Sequence, residues 1–401
     1  MKGQWQVVTD EAADDDPHKS RSADLRRIGG LAVAILILAA STAPNLLERS
    51  SAAVCSAATG AMMLARAGHT ATLLRSGKVL VAGGWVDSPN PSNSAELYDP
   101  MTGRWTVTGS MKLGRVLHAA ALLRSGKVLV TGGDAPVEGD AQVSGPSYGA
   151  TASAEVYDPD SGIWTETSSM LVAGDSLTAI VLESGKVFVA DGRYEGKVVT
   201  TPAELYDPVS ESWSAIGGLI QRGGSATILA SGEVLVVSEN PGGSQLYAPA
   251  TGAWRRTGVT TTRREEHTAT RLPSGKVLVV GGLADPTSAE IYDPATDRWT
   301  PTSPMTMPHR DGADATLLRS GKVLVAGGGA GPPGPKAIDS VDLYDPATAR
   351  WTASGVMAAA RTYFTATLLP SGSVLLAGGA GVGPGPVLPS AEIYAPACIA
   401  R

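Results

Sequence analysis

The chain has 401 residues, among them 48 glycines, 27 prolines, 2 phenylalanines and 2 cysteines, and its formal net charge is -6. A hydrophobic content of 43% supplies a core and excludes a disordered chain, and the net acidity gives no footprint for nucleic acid. Two cysteines exclude a disulfide-dense scaffold and a four-cysteine zinc site, and glycine and proline spread along the whole chain argue against α-rich domains.

Residues 1–27 are polar and mixed in charge, with Asp14, Asp15 and Asp16 followed by Lys19, Arg21, Arg26 and Arg27. Ile28 to Ala43 is almost entirely apolar but shorter than the ~20 residues that span a bilayer comfortably. A basic flank, a short apolar run and then small residues form an export-signal pattern, with cleavage expected after Ala43. An uncleaved signal anchor at 28–43, holding the protein to the membrane, is the alternative. Either way the remainder is expected outside the cytoplasm. Residues 44–54 read as a linker, and 55–401 as one repeat domain.

A Ser-Gly turn recurs seven times, from Ser76-Gly77 to Ser371-Gly372. A tyrosine also recurs seven times: Tyr98, Tyr157, Tyr206, Tyr247, Tyr292, Tyr344 and Tyr394. In six copies a tryptophan follows seven residues later, as Trp105 follows Tyr98. Repeats of roughly 40–50 residues mean a propeller or a solenoid. Each copy parses into four short strands, a to d. In the first, strand a is the HTATLL segment from His69 and strand b the KVLVAGG segment from Lys78; strand c is SAELYDP from Ser94 and strand d WTVTGSM from Trp105. Glycine permits the positive φ of the a–b turn, and proline ends strand c because it cannot donate to a ladder. Four-stranded units about an axis predict an all-β, seven-bladed β-propeller of antiparallel blades.

With a Gly-Gly pair ending strand b (Gly83-Gly84, Gly132-Gly133, Gly281-Gly282, Gly327-Gly328, Gly378-Gly379), then tyrosine and tryptophan at fixed spacing, the repeat resembles the kelch repeat over residues 56–401. It is also similar to the propeller domain of galactose-oxidase-like proteins. Repeats 3 and 4 depart, with Asp191-Gly192 and Ser238-Glu239. Kelch propellers serve unrelated activities, so the resemblance implies the fold more than a function.

The last repeat ends before its own strand d. Thr59-Gly60-Ala61-Met62 aligns with Thr108-Gly109-Ser110-Met111, so residues 56–62 are expected to supply strand d of blade 7 and close the ring. In that alignment Cys398 and Cys55 fall in the slots of Thr102 and Arg104, which flank the turn Gly103 and suit a disulfide.

The a–b and c–d turns share one face, which is nearly uniform; the b–c and d–a connections share the other, which varies. The longest b–c loop runs from Asp134 to Ala152 and carries Glu138, Asp140 and Tyr148. Variable loops on a rigid scaffold are where binding sits. Five d–a entries carry a basic slot, Arg66, Arg115, Arg264, Arg310 and Arg361, with Gly174 and Gln221 in repeats 3 and 4; three residues on, a second slot holds His69, His118 and His267, but Leu177, Gly224, Ala313 and Phe364 in the other repeats. Opening the innermost strand, these residues are candidates to ring the channel mouth and take an anionic sugar or a carboxylate. The competing reading pairs the arginines with the acids of strand c: Glu96, Glu155, Glu290, Asp342 and Glu392. Repeat 4, with Gln221 and Gln245, lacks both charges. Repeats 3 and 4 add a divergent sector with Arg193, Tyr194, Arg222, Glu239 and Asn240.

The resemblance to galactose oxidase implies a tyrosine crosslinked to cysteine and two histidine ligands for copper. Here the cysteines lie at the closure and the histidines are His18, His69, His118, His267 and His309, without ligand-like spacing. No catalytic set, metal or cofactor is therefore expected. The sequence predicts an exported, monomeric binding module for an extracytoplasmic glycan, envelope polymer or protein. Its rivals are a sugar-active enzyme such as a mutarotase and an architectural surface protein.

Overall fold

In the computed structural model, contacts divide the chain into Met1–Arg49 and Ser50–Arg401. The structure describes residues 56–395 apart from 88–90, 137–147, 191–202, 218–222, 239–242, 265, 283, 310–311, 330–335 and 382–385. The apolar segment 28–43, Cys55, Cys398, Arg193, Tyr194 and Arg310 thus lie outside the described residues. Among the described residues no helix is long and apolar enough to cross a membrane.

Seven four-stranded antiparallel sheets make up the described chain, as the repeat predicts. Blade 1 runs Thr70–Leu73, Val79–Ala82, Ala95–Asp99 and Arg104–Val107, each strand paired to the next. Strand b is fully buried in this blade, as it is in blade 7 at Val374–Ala377. A blade has neighbours on both faces, so its inner strands are continuously apolar rather than alternating. The core is therefore distributed. Among the described residues seven apolar clusters form, one at each junction of consecutive blades. Tyrosine and tryptophan stack across strands c and d, with Tyr98 and Trp105 ring centroids 5.0 Å apart. The tryptophan then reaches the preceding blade, as Trp164 Nε1 donates to the Gly109 carbonyl at 2.8 Å.

The ring closes in the register the alignment requires. Ser56–Ala58 pairs antiparallel with Ala391–Tyr394, and Ser56 faces Tyr394 as Trp105 faces Tyr98. The closing strand proper is shorter than the expected 56–62; beyond Ala58 the segment contacts blade 1. Thr59 Oγ1 shares a 2.9 Å hydrogen bond with Tyr98, Trp105 donates to the Gly60 carbonyl at 2.6 Å, and Met62 enters the junction cluster of blades 7 and 1. Two blades depart from the pattern. The long loop of blade 2 starts and ends as a small hairpin, Asp134–Pro136 against Tyr148–Ala150, with Tyr148 edge-on to Trp85 at 5.0 Å. In blade 6 the outer strands lengthen to Ile338–Asp345 and Arg350–Arg361.

Candidate functional site

Each d–a connection enters its blade beneath the loop face, and the basic slot is the first side chain it fixes. Arg66, Arg115, Arg264 and Arg361 are at most 1% exposed. Each guanidinium meets the strand-c acid of its blade: Glu96 at 2.9 Å, Glu155 at 3.0 Å, Glu290 at 2.9 Å and Glu392 at 2.6 Å. Each also donates to the first-glycine carbonyl, as Arg115 does to Gly132 at 2.9 Å. Glu96, Glu155 and Glu392 in turn accept two backbone amides of the connection, as Glu155 does from Lys112 at 2.7 Å and Leu113 at 3.3 Å, and Glu290 accepts the Thr261 amide and the Thr262 hydroxyl. The result is a clamp that fixes the connecting segment to its blade. It commits both terminal guanidinium nitrogens of Arg66 and Arg115 to the blade and buries their Nε atoms out of reach of a ligand.

Electrostatics follow the clamp. Burial alone would raise the Glu392 carboxyl, but the Ala358 amide and the Arg361 guanidinium hold it below the ordinary carboxylate range. Glu204 of blade 3, where Gly174 stands in the arginine slot, keeps only the Leu171 and Val172 amides among the described residues, and burial leaves it raised. Blade 6 is a variant the sequence did not reveal. His309, one residue before the expected Arg310, donates from Nδ1 to the Gly327 carbonyl at 2.7 Å and lies 3.5 Å from Asp342. Histidine and aspartate together replace the longer arginine and glutamate.

The histidine slot is an inter-blade wedge. His118 packs on Gly83 of the preceding blade so closely that a Cβ there would sit 2.6 Å from its ring, and His69 does the same on Gly378. Their Nε2 atoms lie 2.9 Å from Thr70 Oγ1 and 3.1 Å from Thr365 Oγ1, again in the preceding blade. His267 Nδ1 lies 2.8 Å from the Arg264 carbonyl, which can only accept, so Nε2 accepts from the Ser225 hydroxyl at 2.8 Å. Burial pulls His69 down to about 3 and His267 to about 4, and holds His118 well below its ordinary value. Leu177 and Phe364 fill the same wedge in blades 3 and 7. Gly224 and Ala313 stand at the slot in blades 4 and 6, so an imidazole is not required there.

The residue between the arginine and wedge slots is what faces the channel mouth, and sequence reasoning missed it. Around the ring it is Gly68, Leu117, Ser176, Glu266, Gly312 and Tyr363, all half-buried. All six have φ between 52° and 63°, the left-handed region that L-residues avoid. Backbone hydrogen bonds link them head to tail: Leu117 donates to Gly68, Ser176 to Leu117, Gly68 to Tyr363 and Tyr363 to Gly312. The Tyr363 hydroxyl donates to Glu266 Oε2 at 2.8 Å, two blades away. Gly312 makes this crossing possible, because a Cβ there would sit 2.6 Å from the Tyr363 amide nitrogen. The mouth encloses about 370 Å³, walled by Leu117, Leu177 and Phe364 as well as by the polar set. Alternation among glycine, leucine, serine, glutamate and tyrosine has no repeat signature, which is why the slot was invisible in the sequence.

The Kelch motif family profile matches residues 65–112 and 273–306. The chain is thus a seven-bladed β-propeller in which two stretches match the kelch motif. It is similar in structure to a fungal alcohol oxidase described as having catalytic diversity among the AA5 family and solved in complex with copper. The TM-score is 0.66 at 20% identity, over 85% of this chain and 75% of the other. No curated protein matches the chain. At that identity the likeness concerns the fold alone. The described residues do not fit copper. The Nε2 atoms of His69, His118 and His267 are engaged between blades, Phe364 occupies the wedge beside Tyr363, and no three His, Cys, Asp or Glu side chains among the described residues are placed to hold a metal.

Proposed function

We propose that the protein is an exported binding module whose ligand surface is the loop face at the channel mouth, and that its ligand is an extracytoplasmic glycan. The observation that carries this reading is the Tyr363–Glu266 hydrogen bond across Gly312, which sets a phenol and a carboxylate at the rim of an apolar-walled recess. A few converging polar groups in a recess of roughly 300–1,000 Å³ are the usual form of a small-ligand site. Arg66, Arg115, Arg264 and Arg361, with His69, His118 and His267, enter the proposal as positioning residues that hold the rim. Arg310, Arg193 and Tyr194, which lie outside the described residues, remain candidates. The test is a thermal-shift screen of the full chain against neutral and acidic sugars. A ligand at 100 times its Kd adds about 2.7 kcal/mol. Glu266→Gln and Tyr363→Phe are expected to stay folded and lose that shift. An undiminished shift in both variants would overturn the reading.

A sugar-active enzyme is the second reading, and one observation favours it. Asp314 opens strand a of blade 6 just below the mouth, and burial raises its carboxyl to about 6. That value suits proton transfer near neutral pH. Anomer interconversion that rises with pH through about 6 and vanishes in Asp314→Asn would select it.

A further inference from the structure

The face opposite the site divides electrostatically. In blades 1, 2 and 6 the a–b turns read Arg-Ser-Gly-Lys, at 75–78, 124–127 and 319–322. In blades 3, 4 and 5 they read Glu-Ser-Gly-Lys, Ala-Ser-Gly-Glu and Pro-Ser-Gly-Lys. Counting the c–d turns from the last residue of strand c to the first of strand d, blades 1, 2 and 6 carry eight basic and four acidic residues, and blades 3 to 5 carry three basic and six acidic. Lysines in both halves pair with aspartates, as Lys127 does with Asp158 at 3.0 Å and Lys186 with Asp207 at 3.2 Å. The excess is the three exposed arginines. These are pinned: Arg75 donates to the Arg124 carbonyl, Arg124 to that of Glu183, and Arg319 to that of Pro370 at 2.5 Å. Arg319 thereby extends over blade 7, whose own turn, 370–373, is uncharged. Blades 6 and 1 thus carry an excess of two positive charges each, blade 2 is balanced by Asp158 and Asp160, and the described turn of blade 7 is uncharged, so that together they form an arc of net positive charge beside the acidic half.

The chain enters the propeller within that arc. Ser56, the first residue of the closing strand, faces Tyr394, the last residue of strand c, and so lies at the turn-face end of blade 7. The residues before it include the apolar run Ile28 to Ala43. Exposed apolar side chains do not distinguish the arc: Met101, 90% exposed, and Ile163, 60% exposed, stand at the c–d turns of blades 1 and 2, but Val209, 94% exposed, stands at that of blade 3.

We infer that the arc formed by the turn face of blades 6, 7, 1 and 2 docks on an anionic lipid bilayer, leaving the loop face directed away from the membrane. Charge complementarity and the entry point of the chain pick the same four blades. The inference rests on the reading of 28–43 as an export segment that stays attached. A basic residue near an anionic leaflet contributes about 1 kcal/mol, roughly fivefold in affinity.

The experiment is co-sedimentation of the full chain with vesicles of phosphatidylcholine alone and with about a third phosphatidylglycerol, at low and high salt. Wild type is expected to bind the anionic vesicles many-fold more tightly, with the advantage lost at high salt. Arg75→Gln, Arg124→Gln and Arg319→Gln together are expected to lose most of that advantage while melting like wild type. Lys186→Gln with Lys276→Gln in the acidic half should keep it. Equal binding to both vesicles would overturn the docking face and leave the anchor standing, whereas no binding to either would remove the anchor and the docking face with it. An advantage that survives the arginine variant, or tighter binding to soluble polyphosphate than to vesicles, would also overturn the proposal. Should the triple variant melt early, the single Arg75→Gln carries the same test at roughly fivefold.

Discussion

Two residues separate the buried clamp from the channel mouth, yet the two layers follow opposite rules. The clamp repeats an arginine–glutamate pair in four blades and a histidine–aspartate version in a fifth, each sealed from water. The mouth repeats a backbone conformation but no side chain, and it holds leucine, serine, glutamate and tyrosine where glycine would be at ease. A feature that recurs around the ring serves the ring. A feature whose geometry recurs while its chemistry varies is free to serve a ligand. The comparison shows how one short segment divides the two tasks.

Breaking the clamp should have the largest effect. Arg115→Ala leaves Glu155 buried without its cation, and removing one partner of such a pair costs about 3–5 kcal/mol. Equilibrium unfolding in urea should show a loss of that size, with Arg115→Lys in between. Full stability in the alanine variant would contradict the clamp. The closure comes next. Cys55 directly precedes the strand from which Arg66 and the Met63 and Leu64 amides run to Glu96. We propose a Cys55–Cys398 disulfide that secures this junction, and reduction should cost about 2–4 kcal/mol. Identical alkylation masses with and without prior reduction would exclude the bond.

The wedge histidines give a pH signature of intermediate size. Their folded-state values, about 3 for His69 and about 4 for His267, lie below the ordinary 6.5. A group depressed in this way contributes stability that is present above about 6.5 and is lost as pH falls toward the folded value. Each should cost up to about 2 kcal/mol by pH 5. Melting temperature should therefore decline from pH 7 to 5, and His69→Gln with His267→Gln should flatten the decline. An unchanged slope would show that the rings charge freely and that the wedge is not dry.

How much of this was legible follows from the same division. Ser-Gly turns, Gly-Gly pairs and the tyrosine–tryptophan spacing recur because every blade needs them, so the fold, and the closure register to the residue, could be read from one chain. The clamp was legible through its correlated absence at Gln221 and Gln245. In blade 6 Asp342 is met by His309, which the alignment did not mark, whereas Arg310, the position it favours, lies outside the described residues. The mouth was illegible because a left-handed φ leaves no mark on residue type unless glycine fills it.

That observation yields the smallest and most discriminating prediction. Ser176 has φ 53°, and its hydroxyl donates to Asp175 at 2.9 Å. Its amide bond to the Leu117 carbonyl is backbone and would survive substitution. Left-handed geometry costs a non-glycine residue about 1–2 kcal/mol, while glycine adds about 0.5–1 kcal/mol of entropy to be lost on folding. Ser176→Gly should thus stabilise the propeller by about 0.5–1 kcal/mol. Ala349, with φ 54° in a c–d turn on the opposite face, carries the same strain and should gain about as much on change to glycine. The two variants part at the ligand, where Ser176→Gly should weaken sugar binding and Ala349→Gly should not. On the proposed reading, the four strained side chains around the opening are kept there for contact with the ligand, unlike Glu211, Asp297 and Ala349, which take the same φ in the turns of the opposite face. Equal ligand affinity in both glycine variants would return the ring to the scaffold.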